Sequence, residues 1–185
     1  MLRQITEPME EPVTLAETKR HLRLEVDETD EDSDILDLIA DAREYAEGRQ
    51  RKKLAVRSFT LTAAAERSFI LPPPCKKIIS VVVTDKDGQA KAIDEGNYHL
   101  YSDDFKAVLV LGKSYKYPSL NSDNRYPVQI EFSSGMLPVE VPRKTKRAIK
   151  LLIGHWYETR EATTEKKREK PPFAVDALLE MDRTW

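Results

Sequence analysis

The chain reads as an α+β protein in which helical sequence at both ends encloses a long region of alternating apolar and polar residues. Three observations predict this. Residues 33–49 place Ile35, Leu38, Ile39, Ala42, Tyr45 and Ala46 at helical spacing, and residues 141–161 repeat the pattern with Ala148, Ile149, Leu152 and Trp156. Between Leu54 and Gly135 the apolar period falls to two. The predicted organisation is a helical core from 14–53 and 138–161 with an inserted antiparallel β subdomain over 54–137. A flexible arm is expected over 1–13, and a linker with a short tethered helix over 162–185.

The arm carries Pro8, Pro12 and the carboxylates Glu7, Glu10 and Glu11, which favour an extended strap. Thr14-Leu-Ala-Glu17 then has capping-box spacing, and a short helix is expected to about Leu22, with the stem of Lys19 along its apolar stripe. The run Asp27–Asp34 suits a loop and the positive start of the second helix, which ends near Gly48 in the basic cluster Arg49-Gln-Arg-Lys-Lys53. Strands are predicted at 56–63, 68–71, 78–84, 98–101, 107–111 and 128–132. Asp85-Lys-Asp-Gly88 is a hairpin turn, because Gly88 can adopt positive φ. Residues 113–126 form a long loop with Tyr115, Tyr117 and Tyr126, the kind of segment that makes contact surfaces.

Pro142 suits the first turn of the last long helix. Its opening residues Lys144, Lys146, Arg147 and Lys150 oppose the helix dipole, so a nearby acidic surface or phosphate is expected. The linker 162–170 has no apolar residue after Ala162. Phe173, Val175, Leu178 and Leu179 therefore arrive on a polar tether, either to meet a partner or to fold back on the chain's own helices.

Composition narrows the function. Of 185 residues 34% are charged, which fits a soluble globular chain. No apolar run approaches a membrane span, and the first residues lack a signal peptide's apolar core, so synthesis in the cytoplasm without membrane partners is expected. The single cysteine, Cys75, excludes an internal disulfide and a cysteine-rich zinc site. Residues 1–50 hold 15 acidic and 6 basic side chains, while 51–185 hold 17 acidic and 24 basic. Such sign separation suits a closed ring in which each subunit attracts the next, and it also suits two solvated faces of different composition.

No phosphate loop, nucleophile elbow or paired-histidine zinc motif is present. No catalytic residue, cofactor or metal site is predicted. His155, beside Trp156 and Tyr157, is read as structural or interfacial. The acidic loop superficially resembles a calcium loop, but it lacks the central glycine, and the twelfth position from Asp27 is Leu38 instead of glutamate.

The ordered pattern Thr14-Leu-x-x-x-Lys19-x-x-Leu22-Arg23, Asp34-Ile-x-x-Leu38-Ile39-x-x-Ala42-Arg43-x-x-Ala46-Glu47, Leu71-Pro72-x-Pro74, Asp85-x-Asp87-Gly88 and Val128-x-Ile130-x-Phe132-x-x-Gly135 is joined by a block after Pro142. That block is Ala148-Ile-x-Leu-Leu-x-Gly-His-Trp-Tyr157-x-x-Arg160-Glu161, followed by Pro172-x-x-Val175-x-x-Leu178-Leu179. Together they cover nearly the whole chain and resemble the head-tail connector proteins of long-tailed double-stranded DNA bacteriophages. The chain departs from that family at Met181-Asp182, where a Pro-Tyr type ending is expected.

The resemblance implies a ring-forming structural adaptor of the virion, assembled in the host cytoplasm. It would extend the DNA channel, bind portal protein on one side and a tail-side stopper or head-completion protein on the other, and lie near DNA without reading its sequence. Phe173, Val175, Leu178 and Leu179 are the expected partner-docking residues. Lys144, Lys146, Arg147, Trp156 and Tyr157 are the expected ring-interface or channel residues. The alternative is a DNA-packaging accessory or nucleic-acid-binding module, against which the isoelectric point of about 6.0 argues.

Overall fold

The computed structural model describes residues 1–159 and 173–183; the predicted linker 162–170, with Arg160 and Glu161, lies outside the described residues. The fold is α+β, with four α-helices and two antiparallel sheets among the described residues. It divides into a β unit, residues 1–9 and 56–135, and a helical unit, residues 10–55 and the chain from 136 onward.

In the helical unit, α1 (Leu15–Leu22) begins with the expected reciprocal cap. The Thr14 hydroxyl accepts the Glu17 amide at 3.1 Å, and the Glu17 carboxylate accepts the Thr14 amide at 3.0 Å. It ends at Arg23, whose φ of 63° is unusual for a non-glycine residue. Helix α2 (Asp32–Gln50) turns Ile35, Ile39, Ala42 and Ala46 inward, and α3 (Arg143–Thr159) meets them with Thr145, Ala148, Ile149, Leu152 and Ile153. Burial of each large aliphatic side chain contributes about 1.5–3 kcal/mol. Arg43, also buried on α2, is neutralised by Glu11 at 2.9 Å and Glu47 at 3.7 Å. The shorter α4 (Phe173–Glu180) packs on α2 and α3.

The β unit holds a five-stranded sheet in the order β1 (Leu2–Gln4), β2 (Arg57–Ala63), β8 (Val128–Ser134), β4 (Cys75–Thr84), β5 (Ala90–Ala92). A three-stranded sheet follows the order β3 (Ser68–Leu71), β7 (Ala107–Leu111), β6 (Tyr98–Ser102). Alternate residues of both sheets share one core, centred on Ile130, Phe132 and Leu109. Phe59 stacks on Phe132 at 5.7 Å between ring centres. Gly88 closes the β4–β5 turn at φ 78°. The Asp85 carboxylate accepts the amides of Asp87 and Gln89, both at 2.9 Å, and pairs with Lys91 at 2.9 Å.

Two strands depart from the sequence reading. The amino-terminal segment is not wholly a flexible arm: β1 pairs with β2, Leu2 opposite Leu61 and Gln4 opposite Phe59. Ala90–Ala92 forms an edge strand on β4. Both are three residues long with no buried residue, so they carry no alternation of buried and exposed positions to read.

Candidate functional site

The opening turns of α3 find acidic partners within the helical unit. Lys144 pairs with Asp182 at 2.9 Å, and Thr145 donates to the same carboxylate at 3.4 Å. Lys146 and Lys150 lie close enough to Glu17 to help lower its carboxyl pKa, after the larger effect of the Thr14 backbone hydrogen bond and against the opposing effect of burial. Arg143 and Arg147 remain exposed. The four cations expected as one group are thus divided: Lys144 is held by the chain itself, and Arg147 faces solvent.

The predicted docking residues are divided in the same way. Val175 and Leu179 are fully buried in the chain's own helical core, the fold-back alternative, because α4 has an apolar face and α2 and α3 supply the groove. Leu178 is half-buried at the edge of that core, and the Phe173 side chain lies outside the described residues. Polar contacts hold the same geometry. The Tyr45 hydroxyl donates to Asp176 at 3.0 Å, Arg49 pairs with Asp176 at 3.1 Å, and the Gln50 amide donates to the Leu179 carbonyl at 3.1 Å. Burial, and then Asp176, push the Tyr45 phenol pKa up.

Trp156 meets Tyr45 edge-on at 6.3 Å and 90° and packs against the helical core. The Tyr157 hydroxyl donates to Glu31, and its ring lines a cleft of about 390 Å³ with His21, Leu22, Arg23, Gly154 and Glu158. His155 is half-buried, and its carbonyl accepts from Thr159.

The acidic loop has a cation of its own. The Lys19 ammonium is buried, donates to the Val26 carbonyl at 3.1 Å and to the Glu28 carbonyl, and pairs with Asp32. Among the described residues no group of three or more histidine, cysteine or acidic side chains is placed to hold a metal. Cys75 is buried, and burial pushes its thiol pKa up to about 11, the reverse of a reactive cysteine. In the tyrosine loop, Tyr115 and Tyr117 pack on the β core, and Tyr117 donates to the Glu66 carbonyl at 2.6 Å. Of the three tyrosines only Tyr126 is exposed, with the Arg125 guanidinium 5.5 Å from its ring centre.

Sequence reading missed Gln50, a lone glutamine inside a basic cluster, and Arg143, hidden beside the more conspicuous lysines. Spacing puts the aspartates of α2 on the face away from its apolar residues, and there Asp34, Asp37, Asp41 and Glu44, at steps of three, four and three residues, form one exposed stripe, whereas Arg43 is buried.

Known proteins assign the chain to a structural, non-enzymatic class. It belongs to the phage gp6-like head-tail connector protein family, whose model matches residues 12–104, half of the chain. Its fold matches a chain from the neck of an empty gene transfer agent (GTA) particle with C6 symmetry, at a TM-score of 0.80 and 26% identity, over 100% of this chain and 96% of that one. A chain from the virion of native GTA matches at 0.79 and 26%, with the same coverage. A chain from the neck of native GTA with C12 symmetry shares the fold at 0.77 and 24%, again over 100% and 96%. No curated protein matches the chain.

Proposed function

We propose that the chain forms a homo-oligomeric ring in the neck between head and tail. There it extends the DNA channel, receives the portal protein on one side and offers a platform to a tail-side stopper or head-completion protein on the other. The observation that carries this reading is the whole-length likeness to a neck chain from a particle with C6 symmetry. Identical subunits repeated by rotation about one axis close into a ring. The subunit is made in the host cytoplasm and ends in the virion, and the role needs no cofactor.

The portal contact falls to the C-terminal segment in a narrower form than all four apolar residues acting together. Val175 and Leu179 act by seating α4. Leu178, half-buried, and Met181, 67% exposed, are the large apolar groups of this segment left for a partner among those described. Truncating the segment would also strip the helical core, so the suitable variant is Leu178→Ser with Met181→Ser. Its affinity for purified cognate portal is expected to fall about tenfold or more with the circular dichroism spectrum unchanged. Unchanged affinity removes the segment from the portal contact. Light scattering with and without portal tests the ring itself: a large discrete species supports it, and a monomer that ignores portal overturns it.

A further inference from the structure

We propose that neighbouring subunits pair the acidic outer stripe of α2 on one copy with the basic outer stripe of α3 on the next. This rests on the ring reading above and supplies its contact surface. On α2, Asp34, Asp37, Asp41 and Glu44 are all exposed and fall within about a quarter of the helix circumference, opposite the inward residues Ile35, Ile39, Ala42 and Ala46. On α3, Arg143, Lys146, Arg147 and Lys150 share one outer face, opposite Ala148, Ile149 and Leu152. Because α2 and α3 pack inner face to inner face, the two stripes point away from each other. One subunit cannot satisfy both. The stripes are also commensurate, spanning about 15 Å on α2 and about 10 Å on α3 at the rise of an α-helix.

The ion pairs already within the unit sharpen the assignment. Lys144 lies outside the stripe's free charge because Asp182 holds it. Lys146 and Lys150 are shared with Glu17, and Glu44 touches Arg43 at 3.6 Å. Asp34, Asp37, Asp41, Arg143 and Arg147 have no ion pair among the described residues, so they carry the attraction.

The placement of the charges also fixes the symmetry of the contact. A twofold contact needs one self-complementary patch, and because the two stripes point away from each other such a patch could join only α2 to α2 or α3 to α3, opposing like charges. The favourable pairing is α2 against α3, a head-to-tail contact that repeats from copy to copy and closes when its rotation does.

Two variants of the full chain test this. One reverses α2 with Asp34→Lys, Asp37→Lys and Asp41→Lys; the other reverses α3 with Arg143→Glu and Arg147→Glu. Each alone opposes like charges, whereas an equimolar mixture restores opposite signs at every contact. In light scattering across a concentration series at low salt, wild type is expected to associate. Each variant alone should need about tenfold more protein or higher, and the mixture should regain wild-type association. The regained association also shows that both variants fold.

Variants that associate alone like wild type, or a mixture that does not recover, overturn the pairing while leaving the ring reading standing. Wild type that stays monomeric throughout also overturns it, since the stripes are proposed to be sufficient, and leaves a portal-templated ring to be tested on portal. If wild type retains a DNA duplex that the α3 variant loses, with association unaffected, the basic stripe is a phosphate-binding face and the pairing is overturned.

Discussion

The side-chain amide of Gln50 donates to the backbone carbonyl of Leu179, 129 positions further along the chain, at 3.1 Å. The same nitrogen donates to the Thr145 hydroxyl at 3.1 Å, so one buried amide joins the end of α2 to the first turn of α3 and the last turn of α4. Gln50→Ala leaves a buried carbonyl and hydroxyl without this donor. The expected loss is about 1–3 kcal/mol, seen as a lower urea midpoint with an unchanged denaturant slope.

Neighbouring leucines of α4 are expected to behave differently. Leu179→Ala opens a cavity in the helical core and should cost about 2–5 kcal/mol, whereas Leu178→Ala, at the edge, should cost about 1 kcal/mol or less. Thermal melts of the two variants measure the contrast. Equal losses would mean that the face of α4 turned inward is not the one described.

Lys19 fills the acidic loop with its own ammonium. Lys19→Met removes a buried charge from two carbonyls and Asp32 and is expected to destabilise the chain by about 3 kcal/mol or more. Because the loop already holds a cation, millimolar calcium should leave the melting temperature of the wild type unchanged. A rise on adding calcium would contradict that occupancy.

Asp85 supplies a pH dependence. The hydrogen bond from Lys91, then the backbone amides of Gln89 and Asp87, hold its carboxyl below the ordinary aspartate range. A carboxyl lowered by folding stabilises the fold fully above its unfolded pKa, and the contribution is lost as pH falls through the folded value. Asp85→Asn should therefore be less stable than wild type at neutral pH. The difference should shrink as the medium is acidified below the ordinary aspartate pKa of about 3.9, which denaturant titrations at neutral and acid pH would show.

Cys75 should resist thiol reagents in the native state, because burial both covers it and pushes its thiol up to about 11. Labelling is expected to follow global unfolding. A fast-labelling fraction in native buffer would show that the start of β4 opens locally.

Where local chemistry decides, the sequence and the fold agree closely. Thr14 and Glu17 cap α1 through neighbouring groups alone. The apolar steps of α2 and the alternation of β2, β7 and β8 mark which faces are buried. What stayed hidden depends on partners distant in sequence. The basic turns of α3 make sense only once Asp182 and Glu17 are beside them. Val175 and Leu179 look like a free hook until the groove they fill is seen. Strand β1 is legible only as an addition to β2, because none of its three residues belongs to the buried core.

The strand formed by the first residues has a mechanical consequence. Since residues 1–9 belong to the β unit, the polypeptide passes between the two units three times, at residues 9–10, 55–56 and 135–136. Cutting any one of these passages leaves the units tied through the chain that remains. A tension that separates the units is divided among three covalent tethers, and a single proteolytic nick does not release either unit.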